Sequence, residues 1–198
     1  IPRTDLRLSS IVYKEGEIQP TAIAAISAQA VYTEEAILLR LSWHDPTESK
    51  TAPFDAVSFA LLADRHLKWH VGSLRSWPSS KEGPTLDLSY WAASQPTARE
   101  AVVKDAAVLE TGQEQGHPLE SQASYLDGEW MVVMKRPLHP EMADGVHLEP
   151  GKPIFIGFMV WDGGNEEQGR RRANSNWVNF VLRSTSLGRT ADSPGTRR

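Results

Sequence analysis

The sequence contains no cysteine. This absence excludes disulfide bonds, thiolate metal sites, iron–sulfur clusters and covalently attached haem of the c type, because each of them needs a cysteine sulfur. Histidine, methionine, lysine and carboxylate side chains remain as ligands for a metal or a cofactor. Any prosthetic group must therefore be held by these side chains or by packing alone.

An excess of positive charge is also missing. The chain has 21 lysine and arginine residues against 25 aspartate and glutamate residues, which gives a formal net charge of -4 and a pI near 5.9. A protein that binds nucleic acid normally carries a basic surface, so this composition argues against a nucleic-acid partner.

Long apolar runs are absent as well. No window approaches the roughly 18 apolar residues of a membrane-spanning helix, so we expect no membrane span in this chain. The N-terminal stretch IPRTDLRLSS lacks the charged start and the apolar region of a signal peptide. Since the chain begins without methionine, we expect a mature protein whose leader has been removed, although a trimmed chain would look the same.

Motifs of a self-contained catalyst are not found. The sequence has no nucleophile elbow, no phosphate-binding loop and no zinc-binding His-Glu-x-x-His segment. The carboxylate pairs Glu34-Glu35 and Glu166-Glu167 lie in predicted turns, where solvation explains them. We therefore do not expect this chain to be a self-contained catalyst.

The sequence is instead rich in short, alternating apolar segments. Seven tryptophans accompany 14 glycines and 13 prolines, a composition that favours short strands and turns over long helices. We predict an all-β fold whose strands fall within these segments: 21–32, 36–45, 54–64, 86–93, 128–138, 151–164 and 176–184. The last two segments flank a glycine-rich, arginine-rich connection and are expected to pair with each other.

One long excursion interrupts the strand pattern. Residues 95–126 are polar and weakly patterned, and AREAVVKDAAVLE at 98–110 is the one segment predicted to form a short helix. Residues 1–187 are predicted to form a single domain, and residues 188–198 a disordered tail, on account of their composition. A polar excursion of this length is usually either functional or mobile.

Five segments together resemble the ethylbenzene dehydrogenase-related haem-binding domain, a DOMON-like β-sandwich. They occur in the family's order and cover most of the chain outside the 94–126 segment: AVYTEEAILLRLSWHDPT at 30–47, FDAVSFAL at 54–61, LDLSYWAA at 86–93, DGEWMVVMKRPL at 127–138 and PGKPIFIGFMVWDGGNEEQGRRRANSNWVNFVL at 150–182. Each motif alone is weak evidence, and the resemblance rests on all five occurring in the family's order.

The resemblance implies a function. Such domains serve as electron-transfer subunits of periplasmic molybdenum enzymes of the dimethyl sulfoxide reductase superfamily, and they hold a haem b between loops at one end of the sandwich. The implied partners are a catalytic molybdenum subunit and an iron–sulfur subunit, with a soluble cytochrome as an alternative electron partner. An extracytoplasmic location, most simply the periplasm, follows from the same resemblance.

The resemblance also implies ligands for the haem iron, a methionine and a lysine. Arg172 stands in the lysine's place, but a guanidinium stays protonated and has no free lone pair for iron. His70 stands where the methionine is expected, and imidazole is a good haem ligand; His66 is its local competitor. The second iron ligand stays open, with Met134 and Met159 as fallback candidates.

The remaining predictions for the site concern its arginines. Arg170, Arg171 and Arg172 would pair with the haem propionates, whose carboxylates suit the guanidinium fork, and Arg136 is a similar candidate on a strand. A solvated loop or a contact with an acidic partner surface would explain the cluster equally well. The alternative function is a haem-free sandwich that acts as a scaffold or binds another ligand.

Overall fold

The computed structural model describes residues 3–10, 20–62, 86–103, 116–142, 144–169 and 171–183. In these ranges the chain forms twelve strands and a short 3-10 helix at Gly163–Asn165, with no α-helix. The strands are β1 Thr4–Ser10, β2 Ala25–Tyr32, β3 Ala36–His44, β4 Ala56–Leu62, β5 Leu86–Ala92, β6 Ala98–Val103, β7 His117–Leu119, β8 Ser121–Leu126, β9 Glu129–Pro137, β10 Pro153–Trp161, β11 Ala173–Ser175 and β12 Val178–Val181. Over the same ranges, no helix is long and apolar enough to cross a membrane.

The strands form two antiparallel layers. The first layer has the order β1-β2-β3-β9-β8, and the second has the order β7-β6-β5-β4-β10, with β11 and β12 both paired to β10. Strand β1 joins the layers, because Thr4–Arg7 pair with β2 while Leu8–Ser10 pair with β11. The predicted all-β sandwich is therefore confirmed.

Buried apolar residues alternate along β3 and β9, and this alternation determines which face of the first layer packs against the second layer. In β3, Ile37, Leu39, Leu41 and Trp43 are buried, and in β9, Trp130, Val132 and Met134 are buried, as their period of two predicts. These side chains join apolar residues of β4 and β10 in one large cluster between the layers, which we call the main core. Trp43 stacks on Trp130 with ring centroids 6.2 Å apart, next to Trp91.

The predicted pairing around the arginine-rich connection is confirmed. Strand β12 runs antiparallel to β10, with Val178 opposite Ile156 and Val181 opposite Pro153. The short strand β11 inside the connection was not predicted. It brings Asn174 opposite Met159 and fastens the end of the connection to the sheet.

The predicted helix at 98–110 is wrong over its first half. Ala98–Val103 form strand β6, paired with β5 from Leu86↔Val103 to Tyr90↔Arg99, and residues 104–110 lie outside the described residues. Alanine and glutamate favour helices, but Ala98 and Glu100 point inward while Arg99 between them is exposed. The alternating burial of these side chains in the folded protein therefore outweighs their local preference for a helix. The predicted tail at 188–198 also lies outside the described residues.

Candidate functional site

The second layer is buried on both of its faces. Along β4, Val57, Phe59 and Leu61 enter the main core, while the alternate residues join a separate apolar cluster on the opposite side of the sheet. We call this second group the outer-face cluster. Its buried members are Ala56, Ala60, Leu62, Leu86, Leu88, Ala92, Ala101, Met159 and Trp161, and Phe54, Tyr90, Phe155 and Trp177 pack against it.

The arginine loop, residues 162–172, begins at the end of β10 beside this cluster. Asp162 starts it by accepting a hydrogen bond from the Asn165 backbone N–H at 3.0 Å, which caps the 3-10 helix. Glu167 is buried and accepts hydrogen bonds from the backbone N–H groups of Ala22 and Asp162. The predicted solvation of Glu167 is therefore wrong, because its carboxylate fastens the loop to the chain before β2.

Arg172 ends the loop as a buried side chain. Its Nε donates to Asn174 Oδ1 at 3.1 Å and its Nη1 to the Gly169 carbonyl at 2.9 Å. The guanidinium carbon lies 5.5 Å from the ring centroid of Trp161, whose Nε1 also donates to the Gly169 carbonyl. Arg172 is thus part of the outer-face cluster, and a solvated loop does not describe it.

Arg171 is half-buried beside it and differs in its bonding. Its backbone N–H donates to the Gln168 carbonyl, whereas its side-chain Nε is buried without a hydrogen-bond partner. A buried donor without an acceptor is costly, so this atom is suited to an acceptor supplied by a ligand. Arg170 lies outside the described residues.

The two fallback methionines lie on opposite sides of the second layer. Met134 is fully buried in the main core, and Met159 is fully buried in the outer-face cluster with Trp161. Of these two thioethers, only that of Met159 shares a face with the Arg172 guanidinium. His70 and His66 fall outside the described residues, so the predicted imidazole ligand stays a prediction.

Arg136 lies between the layers, away from the outer face. Its Nη2 is 2.6 Å from Asp87 Oδ2, and its Nε is 2.5 Å from Glu100 Oε1, although these last two atoms are not aligned as a hydrogen bond. It also donates to the carbonyl groups of Pro137 and Val146. Two buried carboxylates already match this guanidinium, so we leave Arg136 out of the candidate cofactor site. Sequence reasoning missed this triad because its members come from three strands.

Burial raises the pKa of Glu100 to about 7, and the neighbouring Asp87 adds to the rise while Arg136 opposes it. The folded state therefore keeps a proton on Glu100 between about pH 4.5 and 7, where the unfolded chain has lost it. We expect this group to lower the free energy of unfolding by about 2–3 kcal/mol as pH rises through that window. Urea unfolding at pH 5 and pH 7 should show a smaller pH dependence in Glu100→Gln than in the wild type, and identical pH dependence would contradict this assignment.

An open groove of about 270 Å³ lies between the layers where β2 and β12 separate. Its walls are mainly apolar and include Leu6, Ala28, Leu39, Phe158, Val178 and Phe180. The residues that line it include no histidine, methionine, lysine or carboxylate. Among the described residues, none that lines the groove is a side-chain ligand for iron, and we place the candidate site at the outer face.

Comparison with known proteins agrees with the sequence resemblance. The ethylbenzene dehydrogenase family profile matches residues 110–173, which include β7 to β10 and the arginine loop. The chain is related to the ethylbenzene dehydrogenase family. This relationship covers the part of the chain that carries Met159, Arg171 and Arg172.

Two curated relatives of this ethylbenzene dehydrogenase-related chain match along most of its length. A protein of Haloferax mediterranei named as a respiratory nitrate reductase haem subunit is 24% identical over 91% of this chain. The chlorate reductase gamma subunit of Ideonella dechloratans is 27% identical over 79% of it. The match spans 64% of the length of each relative.

Among solved structures, a family 9 carbohydrate-binding module from Caldicellulosiruptor kristjanssonii in complex with cellotriose aligns with a TM-score of 0.49 and 11% identity. The alignment covers 97% of this chain and 88% of that chain.

Proposed function

We propose that this chain is a haem-binding electron-transfer subunit of a molybdenum oxidoreductase complex. The observation that carries the proposal is the match to two relatives named as a haem subunit of nitrate reductase and a gamma subunit of chlorate reductase. The finer assignments, haem b as the cofactor and an extracytoplasmic location, belong to the same proposal. They rest on the family resemblance.

The outer-face cluster fits the chemistry of a haem. Ala56, Ala92 and Trp161 are paired neighbours on β4, β5 and β10 where the arginine loop begins, and small and aromatic side chains of this kind suit contact with a porphyrin ring. Met159 supplies a thioether on this face, and the unpartnered Nε of Arg171 supplies a donor for a carboxylate. The residues present therefore suit a ring with an iron centre and acidic substituents.

Each residue takes a separate role in this proposal. Met159 and His70 would be the ligands of the iron, and a bound haem would supply one-electron redox chemistry there. Arg171 and Arg172 stabilise the propionates, since a guanidinium pairs well with a carboxylate but cannot coordinate iron. The aromatic side chains of Tyr90 and Trp161 exclude water from the ring, with their centroids 5.7 Å apart in an edge-to-face contact.

The proposed partners are a catalytic molybdenum subunit and an iron–sulfur subunit, with a soluble cytochrome as an alternative acceptor. A chain without cysteine cannot hold an iron–sulfur cluster itself, so electrons must reach it from another protein. Affinity purification of the tagged chain from its native host should recover a molybdenum-containing protein from the extracytoplasmic fraction. Recovery of the chain alone, in the cytoplasm, would contradict both parts of this assignment.

Replacing Arg171 with glutamine tests the propionate contact. We expect haem affinity to fall by about tenfold, because a charge-assisted hydrogen bond to a partly buried carboxylate is lost. Haem titration followed by absorbance measures the effect. Arg40→Gln is the matched control, since Arg40 is exposed on β3, and equal affinities for the two variants would rule out the contact.

A further inference from the structure

A second group of buried acids lies where three strands meet at one end of the sandwich. Asp45 follows β3, Asp55 precedes β4 and Asp162 follows β10. Each offers one carboxylate oxygen, and these oxygens all lie within 4.8 Å of one another. The residues are 0%, 0% and 3% exposed. Both layers of the sandwich thus contribute to one compact acidic cluster.

Backbone and side-chain N–H groups fix the orientation of the three carboxylates. Asp55 Oδ1 accepts from the Gly163 N–H at 2.8 Å, and its Oδ2 accepts from the Ser49 N–H at 2.7 Å and from Trp130 Nε1 at 2.9 Å. Asp162 Oδ1 accepts from the Asn165 N–H. These neutral donors position the oxygens, but they do not cancel the negative charge.

The cluster has no positive partner in the described part of the chain. No lysine, arginine or histidine there forms an ion pair with Asp45, Asp55 or Asp162. Burial, followed by the charges of the other two aspartates, raises the pKa of Asp45 to about 6. Three desolvated carboxylates this close together repel one another, so a cation between them would relieve a substantial cost.

One oxygen of the cluster is left without any partner. Asp45 Oδ1 accepts from the backbone N–H and the hydroxyl of Thr47, at 3.0 and 3.1 Å. Its other oxygen, Oδ2, is buried with no hydrogen-bond partner. A buried carboxylate oxygen without a hydrogen-bond partner is an atom that a bound cation would be expected to coordinate.

We propose that Asp45, Asp55 and Asp162 bind one Ca²⁺ ion. The donors are all oxygens, which select a hard cation over a transition metal. The three oxygens lie within 4.8 Å of one another, close enough for one cation to bind all of them. Ca²⁺ tolerates a flexible coordination geometry, whereas Mg²⁺ demands a near-ideal octahedron and retains several waters, so Ca²⁺ is the better match for carboxylates fixed by the fold.

The chain packs tightly at the start of the arginine loop, next to Asp162. A Cβ on Gly163 would lie 2.3 Å from the Pro53 carbonyl oxygen, and a Cβ on Gly164 would lie 2.3 Å from the Thr47 hydroxyl. Glycine is therefore required at both positions. The ion would hold the 45–55 loop against the start of the arginine loop, and its binding does not depend on the haem.

Thermal unfolding of the full chain tests the site. After removal of metal with EDTA, saturating Ca²⁺ should raise Tm by about 5–10 °C, because ligand binding to the folded state alone stabilises it by mass action. Mg²⁺ at the same concentration should raise it less. No change in Tm up to about 10 mM Ca²⁺, above the weakest sites of extracellular modules, would overturn the proposal.

The variant Asp45→Asn distinguishes a Ca²⁺ ligand from a residue with a merely structural role. In EDTA this variant should be as stable as the wild type or more stable, because the repulsion is reduced, and in Ca²⁺ it should be less stable. A merely structural role would lower Tm equally in both conditions and would overturn the proposal. Asp144→Asn is the control for an exposed aspartate and should keep the full Ca²⁺ response.

Terbium luminescence gives a readout that does not depend on stability. Tb³⁺ replaces Ca²⁺ in oxygen sites, and Trp130, hydrogen-bonded to Asp55, is placed to sensitise its emission. We expect emission that Ca²⁺ displaces and that is lost in Asp45→Asn and in Asp162→Asn, which retains the oxygen that caps the 3-10 helix. Emission that survives both substitutions would show that the ion binds elsewhere and would overturn the assignment.

Discussion

Replacing Arg136 with methionine is expected to lower the free energy of unfolding by about 3–5 kcal/mol. The guanidinium is fully buried between the layers, and its removal leaves Asp87 and Glu100 without their cation. A buried charge without a partner costs several kcal/mol, which exceeds the value of the ion pair itself. Urea unfolding at pH 7 measures the loss.

The neighbouring residue provides the control for this variant. Lys135 is on the same strand and forms an ion pair with Glu120 at 2.9 Å, but both side chains are largely solvated. Lys135→Met should therefore cost no more than about 1 kcal/mol. Equal losses of unfolding free energy in the two variants would contradict the claim that burial determines how much the Arg136 triad contributes to stability.

Replacing Met159 with leucine is expected to remove one of the side chains that would hold the proposed haem. Leucine fills a similar volume, so the fold should lose less than about 1.5 kcal/mol. It has no sulfur to donate to iron, so the absorption spectrum of the haem-loaded chain should change. The absorption spectrum of the haem-loaded chain reports this change through the Soret maximum and the sharp bands of the reduced state.

Met134→Leu is the matched variant for this test. Met134 is equally buried but belongs to the main core, on the other side of the second layer. Its substitution should leave the spectrum unchanged. A spectral change in Met134→Leu, with none in Met159→Leu, would contradict a haem at the outer face. It would indicate that the haem binds between the layers.

The sequence predicts the strands of this fold well, because each central strand has one apolar face. Residues Trp130, Val132 and Met134 alternate in sequence, and all three enter the main core. The helix prediction was wrong over residues 98–103, because local propensity does not include the contact of Glu100 with Arg136, on a strand much later in the chain. Such a partner becomes visible only when the layers are in place.

The burial of individual side chains was predictable in part. The same alternation that places Met134 inside also places Arg136 inside, so the sequence contained a signal that this arginine is buried. By contrast, β10 is almost continuously apolar, so its sequence does not show which face is buried in which cluster. Met159 is buried on the face away from the main core, in the outer-face cluster, and this is seen only in the structure. The sequence does not reveal the aspartate cluster, because Asp45, Asp55 and Asp162 are separated along the chain and meet only in the folded protein.

The central claim is tested most directly by the absorption spectrum of the full chain produced with adequate haem. We predict a Soret band with a pyridine haemochrome spectrum of haem b, which His70→Ala weakens or shifts while the chain stays folded. A Soret band unchanged by His70→Ala would remove that ligand and keep the cofactor. A folded chain without any Soret band would contradict haem binding and leave the haem-free scaffold as the function of this sandwich.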